Sequence, residues 1–301
     1  MDVNILAVLF GGLSLSSILL LLAFGLALIF GMMNVINMAH GEFITWGGYT
    51  AFLINGLFGD LFTGAARELW FVVAIFASFL LTAIMGAIIE RLIVRHLYGR
   101  IIDTLLVTWG IGIVLRQLIR TIFTGISVPT EIPQWLRGGY SLTANFTLPY
   151  TRLFIIGIAV IVVIGVYYLF YRTRIGRLTR AVLQDRDMAA ASGVPIARLD
   201  MFAFSLGAGL AGLAGCALTL LGSLNPMTGF HYLVDSFLVV IAGGVGRLVG
   251  TISASGAVGF TEYFLQVITG PIMGRALVFV LIILFLQFRP KGMLPLSGRR
   301  R

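Results

Sequence analysis

The chain has 301 residues, 59% of them hydrophobic and only 11% charged, with a mean hydropathy of +1.02. That balance excludes a soluble globular domain, because several apolar runs approach the roughly 20 residues that a helix needs to cross hydrocarbon. A formal net charge of +9 would point to nucleic acid in a soluble protein, but here the basic residues gather in short segments beside apolar runs and read as topology signals.

Lipid offers the backbone no hydrogen-bond partners, so spanning elements are helices or a closed barrel, and long apolar runs without alternation select helices. The expected fold class is all-α: a polytopic integral membrane bundle of about 8–10 transmembrane helices in a single domain over residues 1–301, since no Pro/Ser-rich linker divides it. Candidate spans are 5–30, 43–58, 69–94, 101–123, 153–170, 201–224, 234–242, 248–268 and 276–288. The opening "MDVNILAVLF" lacks the basic region and small-residue cleavage site of a signal peptide, so the first helix is expected to be retained.

Between the first two spans lies "GMMNVINMAHGEF", where Asn34, Asn37, His40 and Glu42 interrupt apolar sequence and Gly31 and Gly41 can relax the backbone. Polar groups at membrane depth are tolerated where protein buries them or where they line a watery cavity, such as a solute path. The competing reading is an ordinary cytoplasmic turn in which His40 and Glu42 are solvated or cap each other. Against it, no arginine or lysine occurs between Met1 and Arg67, so the turn lacks the usual positive mark.

The third span ends at "RHLYGR", and the fourth, "TLLVTWGIGIVLRQLIR", starts beside Asp103. Thr108 and Trp109 sit in mid-span next to Gly110 and Gly112, where a hydroxyl and an indole can face a passing solute; packing or interface anchoring is the alternative for Trp109. Arg116 and Arg120, four apart, are expected to snorkel or to pair with a carboxylate. Residues 124–151 carry only Glu131 and Arg137 as charges, and Pro129, Pro133 and Pro149 mark irregular structure there.

The fifth span runs into "YRTRIGRLTRAVLQDRD". Arginine content assigns this segment, "RHLYGR" and the final "SGRRR" to the cytoplasm and residues 124–151 to the outside, which gives an outside N-terminus and an inside C-terminus. In "SLGAGLAGLAGCAL", Gly207, Ala211 and Gly215 share one helix face that lets backbones approach closely, and Cys216, the single cysteine, is expected to pack there without a disulfide partner. "VDSFLVVIAGGVGRLVGT" is the weakest span and can equally be a re-entrant or broken helix. Its "GGVGRLVG" follows no soluble strand and lacks the Lys-Ser/Thr ending of a P-loop, so the chain carries no nucleotide site of its own.

Catalysis finds little material. His40, His96 and His231 are the only histidines, none in an H-E-x-x-H pattern, and Ser255 in "SASGAVG" is a partial match to an intramembrane serine protease. No catalytic residue and no metal site are expected.

Four stretches in order, "GLALIFGMMNVINMAHGEFITWGGY", "LTRAVLQDRDMAAASGVPIARLDMFAF", "VDSFLVVIAGGVGRLVGT" and "FRPKGMLP", resemble the permease subunits of bacterial branched-chain amino-acid ABC importers, essentially end to end. Within that family, "ERLIVRHLYGRIIDTLLVTWGIGIVLRQLIR" and "LPYTRLFIIG" resemble the first of the two permeases of the related urea importers. The resemblance implies an inner-membrane transport subunit that is not itself an enzyme. It implies a second, homologous permease, two cytoplasmic ATPases, a periplasmic solute-binding protein and a small-molecule solute, with membrane lipid around the assembly and no nucleic acid. No cofactor is implied for this chain, ATP and magnesium belonging to the partner subunits. The cytoplasmic loop at about 172–200 would dock on an ATPase through Gln184, Asp185, Asp187, Ala189, Ala190 and Gly193, its small residues pressing into a groove; a plain solvated loop is the alternative.

The expected mechanism is alternating access for urea, along a path lined by Asn34, Asn37, His40, Glu42, Thr45, Thr108 and Trp109. A zwitterionic branched-chain amino acid, the alternative solute, would need both a cationic and an anionic partner, or helix ends in those roles. A self-sufficient channel or ion-coupled carrier is the reading from another class. It would need clustered buried carboxylates, and Glu42, Glu90, Asp103, Asp235 and Glu262 do not cluster in sequence.

Overall fold

The computed structural model describes residues 5–123, 125–143, 146–290 and 292–294. In chain order its helices are α1 (Ile5–Met33), α2 (His40–Leu61), α3 (Trp70–Leu92), α4 (Ile101–Phe123), α5 (Tyr150–Arg172), α6 (Arg174–Gln184), α7 (Arg186–Ala191), α8 (Ile196–Leu218), α9 (Thr228–Gly243), α10 (Leu248–Thr269) and α11 (Pro271–Phe288). All nine expected spans fall on helices, with shifted ends: α9 starts six residues before the expected 234, and α8 stops short of 224.

Six helical segments are individually long and apolar enough to cross a membrane: α1, Arg67–Leu92, α4, α5, α8 and α11. The pair α9 and α10, bent by 117° at its break, makes a seventh when counted as one span, so six or seven candidate spans stand where eight to ten were expected. The break confirms the weakness read in residues 234–251: Gly244 and Gly246 turn the chain at φ +95° and +81°, angles that side chains disfavour. α2 has 22 residues, yet its threonines, glycines, asparagine and acidic residues dilute its apolarity below that of a lone span.

Outside the helices, an addition to the all-α expectation is a two-stranded antiparallel hairpin, β1 (Gly139–Thr143) and β2 (Phe146–Pro149), with Tyr140 opposite Leu148. A separate bridge pairs Val128 with Leu224. Backbone amides in a connection that is not helical still need partners, and these strands supply them.

α1 is apolar on every side, the pattern of a helix enclosed by others. It packs against α8, α9, α10 and α5, and α2 in turn packs against α8, α3 and α9. The small face foreseen on α8 is what permits this. A β-carbon at Gly207 would lie 2.6 Å from the Gly25 carbonyl oxygen on α1, and one at Gly215 would lie 1.8 Å from the Ile44 oxygen on α2. Cys216 is buried there, free of any disulfide. Gly215→Ala is therefore expected to cost at least about 1–3 kcal/mol, as overpacking does, read as a lower melting temperature of the solubilised protein. Gly110→Ala on α4, where an added carbon meets open space, should leave it unchanged.

Candidate functional site

The turn between α1 and α2 is where the polar stretch resides. Asn34 ends α1 by adopting φ +52°, a left-handed conformation that asparagine tolerates better than most residues, while its amide still reaches the Phe30 carbonyl at 3.0 Å. The Asn37 side-chain oxygen then accepts from the Ala39 amide at 3.0 Å, closing an Asx-type turn that leads into α2. α4 secures this turn from the side: the Thr108 hydroxyl oxygen accepts from the Met38 amide at 3.1 Å and lies 2.8 Å from the Thr104 carbonyl.

The first turn of α2 is buried. His40 donates from Nε2 to the Leu22 carbonyl at 3.0 Å, and Glu42 forms an ion pair with Arg116 of α4, whose Nε is 3.0 Å from the same carboxylate oxygen. Thr45 bridges to α9, accepting from the Gly229 amide at 3.1 Å and lying 3.3 Å from the Gly41 carbonyl. His40 and Glu42 thus take separate partners and do not cap each other. Three buried atoms in this stretch, Asn37 Nδ2, His40 Nδ1 and Glu42 Oε2, have no hydrogen-bond partner among the described residues. Buried polar groups normally find partners, so such a concentration marks a place where water or solute can bind.

Of the seven residues expected along a path, Asn37, His40, Glu42, Thr45 and Thr108 are enclosed by this chain's own helices. Asn34 and Trp109 are exposed, the latter at 49%. Two partly buried guanidiniums reach α9 beside this cluster. Arg116, its side chain 16% exposed, lies 4.5 Å from the centre of the Phe230 ring on α9. Arg275 of α11 reaches the same turn of α9, 3.2 Å from the His231 carbonyl, and forms an ion pair with Asp235, whose Oδ1 has no partner among the described residues. Two arginine–carboxylate pairs therefore approach the first turns of α9. Sequence reading named each carboxylate but neither pairing, because the members lie 74 and 40 residues apart and carry no local motif.

A second polar network joins the arginine-rich segments. Asp185 caps α7, its Oδ1 accepting from the amides of Asp187 at 3.1 Å and Met188 at 2.9 Å. Arg186 pairs with Asp200 at the start of α8 and lies over the Tyr98 ring. Tyr98 donates to Glu90 of α3 at 2.5 Å, and Arg95 lies 3.7 Å from that carboxylate. Burial and the adjoining Glu90 carboxylate push the Tyr98 phenol up, so it stays protonated as the donor. Among the residues expected to meet an ATPase, Gln184, Asp185, Asp187, Ala190 and Gly193 are exposed, with Met188 beside them. Ala189 instead turns inward against Val182 and Leu199, because helix periodicity puts it on the opposite face of α7.

No group of three or more potential metal ligands occurs among the described residues. Glu42, Glu90, Asp103 and Asp235 each face an arginine of this chain, a poor arrangement for holding a coupling cation.

The family described as branched-chain amino acid transport system / permease component matches residues 8–286. The permease BraD of a high-affinity branched-chain amino acid transport system from Pseudomonas aeruginosa is 30% identical, covering 94% of this chain and 93% of the relative. LivH of the corresponding Escherichia coli system is 27% identical over 95% of this chain and 94% of its own. The ribose import permease RbsC of Escherichia coli is 26% identical over 84% and 75%. No solved structure matches the chain.

Proposed function

The chain belongs to the branched-chain amino acid transport system / permease component family, and from that membership we propose that it forms half of the translocation path for a branched-chain amino acid in an ABC importer of the inner membrane. The match over residues 8–286 carries this reading, and the relatives' names favour an amino acid over the urea suggested by the shorter motifs. A second, homologous permease completes the path, a periplasmic binding protein delivers the solute, and two cytoplasmic ATPases supply the driving force. The N-terminus lies outside and the C-terminus inside.

A zwitterion needs a cation for its carboxylate and an anion for its ammonium. Arg116 with Glu42 and Arg275 with Asp235 supply both signs beside α9, and each carboxylate keeps one oxygen without a partner among the described residues. Phe230 and Trp109 offer apolar surface for a branched side chain. Asn34 and Trp109 stand at the path itself, Glu42 meets it together with Arg116, and Asn37, His40, Thr45 and Thr108 hold its wall in shape. α6 and α7 dock on an ATPase through Gln184, Asp185, Asp187, Ala190 and Gly193, with Ala189 bracing them from within.

Uptake of labelled leucine and labelled urea by vesicles containing the complete complex tests the reading. ATP-dependent leucine uptake with no urea uptake is expected. Urea uptake alone would restore the urea assignment, and uptake indifferent to ATP would overturn the importer class.

A further inference from the structure

α1 packs with both α5 and α10, yet those two helices scarcely touch each other, leaving a groove with α1 as its floor. Two cavities lie in it. One of about 310 Å³ is bordered by Leu13 and Leu20 of α1, Val160 and Val163 of α5 and Ile252 of α10. The other, about 440 Å³, is bordered by Ala27 and Met32 of α1, Tyr171, Arg180 of α6 and Arg247 at the start of α10. From Leu13 to Met32 the helical rise gives a groove of about 28 Å, close to the hydrocarbon thickness of a bilayer.

Away from the end that carries the arginines the groove is lined by apolar side chains and by Ser16, Ser17 and Ser255, whose hydroxyls bond carbonyls of their own helices; at the arginine end the charge is uncompensated among the described residues. Arg180 donates to the Phe170 carbonyl and lies over the Tyr171 ring, but faces no carboxylate among the described residues. The Arg247 guanidinium meets no acceptor among the described residues, although the residue is half buried. No acidic residue borders this cavity, and the sequence beyond Leu294, which also borders it, holds three arginines and no Asp or Glu. Two cations at the rim of an apolar groove call for an amphiphilic anion, and in a membrane the abundant one is a phospholipid. Guanidinium forks bind phosphate oxygens bidentately, and basic pockets between membrane helices hold anionic headgroups.

We propose that this groove binds one anionic phospholipid, its phosphate at Arg180 and Arg247 and an acyl chain laid along α1 between α5 and α10. The site is independent of the solute carried. Native mass spectrometry of the complete, delipidated transporter titrated with phosphatidylglycerol or phosphatidylcholine tests it. One tightly held phosphatidylglycerol per copy of this chain is expected, with phosphatidylcholine not retained. Arg247→Gln should weaken retention about fivefold, from the contribution of one basic residue, while Arg247→Lys, which keeps the charge but loses the bidentate fork, should fall between the two. Val160→Trp, at a position 51% exposed on the groove wall, should displace the lipid with both arginines intact. Equal retention by wild type, Arg247→Gln and Val160→Trp, or equal retention of both lipids, would overturn the proposal. So would lipid binding by the isolated chain that disappears in the complete complex, which would mean that a helix or acidic segment of a partner fills the groove.

Discussion

Arg116→Ala is expected to abolish solute uptake and to destabilise the permease by about 3–5 kcal/mol, the usual result of leaving one partner of a buried ion pair alone. Glu42 is 1% exposed and its other oxygen has no partner among the described residues, so with the guanidinium lost only the longer-range attraction of Arg120 remains. Arg116 also lies over Phe230, so its loss loosens α4 from α9 as well as from α2. The double variant Glu42→Leu with Arg116→Met separates structure from transport. Replacing a buried pair by apolar residues of similar volume is often neutral for stability. The melting temperature of the solubilised double variant should therefore return close to wild type, while uptake stays abolished because the solute has lost both charges. Recovery of uptake along with stability would assign the pair a purely structural role.

Arg186→Ala should uncouple the transporter. Arg186 ties α7, the element proposed to meet the ATPase, to Asp200 of α8, and it overlies Tyr98, which leads to Glu90 of α3. Asp200 is almost fully buried while Arg186 is 40% exposed. The lost contact therefore falls in the range of a charged hydrogen bond, about 1.5–3 kcal/mol, leaving a folded protein with a loose connection. ATPase activity of the assembled complex should persist while ATP-driven uptake falls at least tenfold, a ratio that a defect in assembly would not produce. If both activities fall together, Arg186 holds the complex together and does not transmit motion.

Much of the fold was legible in the chain because lipid imposes a local rule. Every backbone amide in hydrocarbon must be paired within its own segment, so a long apolar run declares a helix without reference to its neighbours. The close packing of α8 was equally legible in the spacing of Gly207, Ala211 and Gly215, since helix periodicity alone brings them to one face. The hairpin from Gly139 to Pro149 was not, because strands of five and four residues in a proline-bearing loop depend on pairing partners that local composition does not name. Nor was the inward turn of Ala189, which is set by Val182 and Leu199 packing beneath it.

The sequence by itself determined that this is a helical membrane protein, that its polar residues between the first two spans are exceptional, and that its motifs belong to an importer permease. Only the tertiary structure decided which of those polar residues are enclosed and which charges meet. Glu42 and Arg116 are 74 residues apart, Asp235 and Arg275 are 40 apart, and Arg180 and Arg247 come to one cavity from different helices. An ion pair or a charged pocket is a property of distance in space, and in a helical bundle that distance is set by how helices pack rather than by any pattern along one of them.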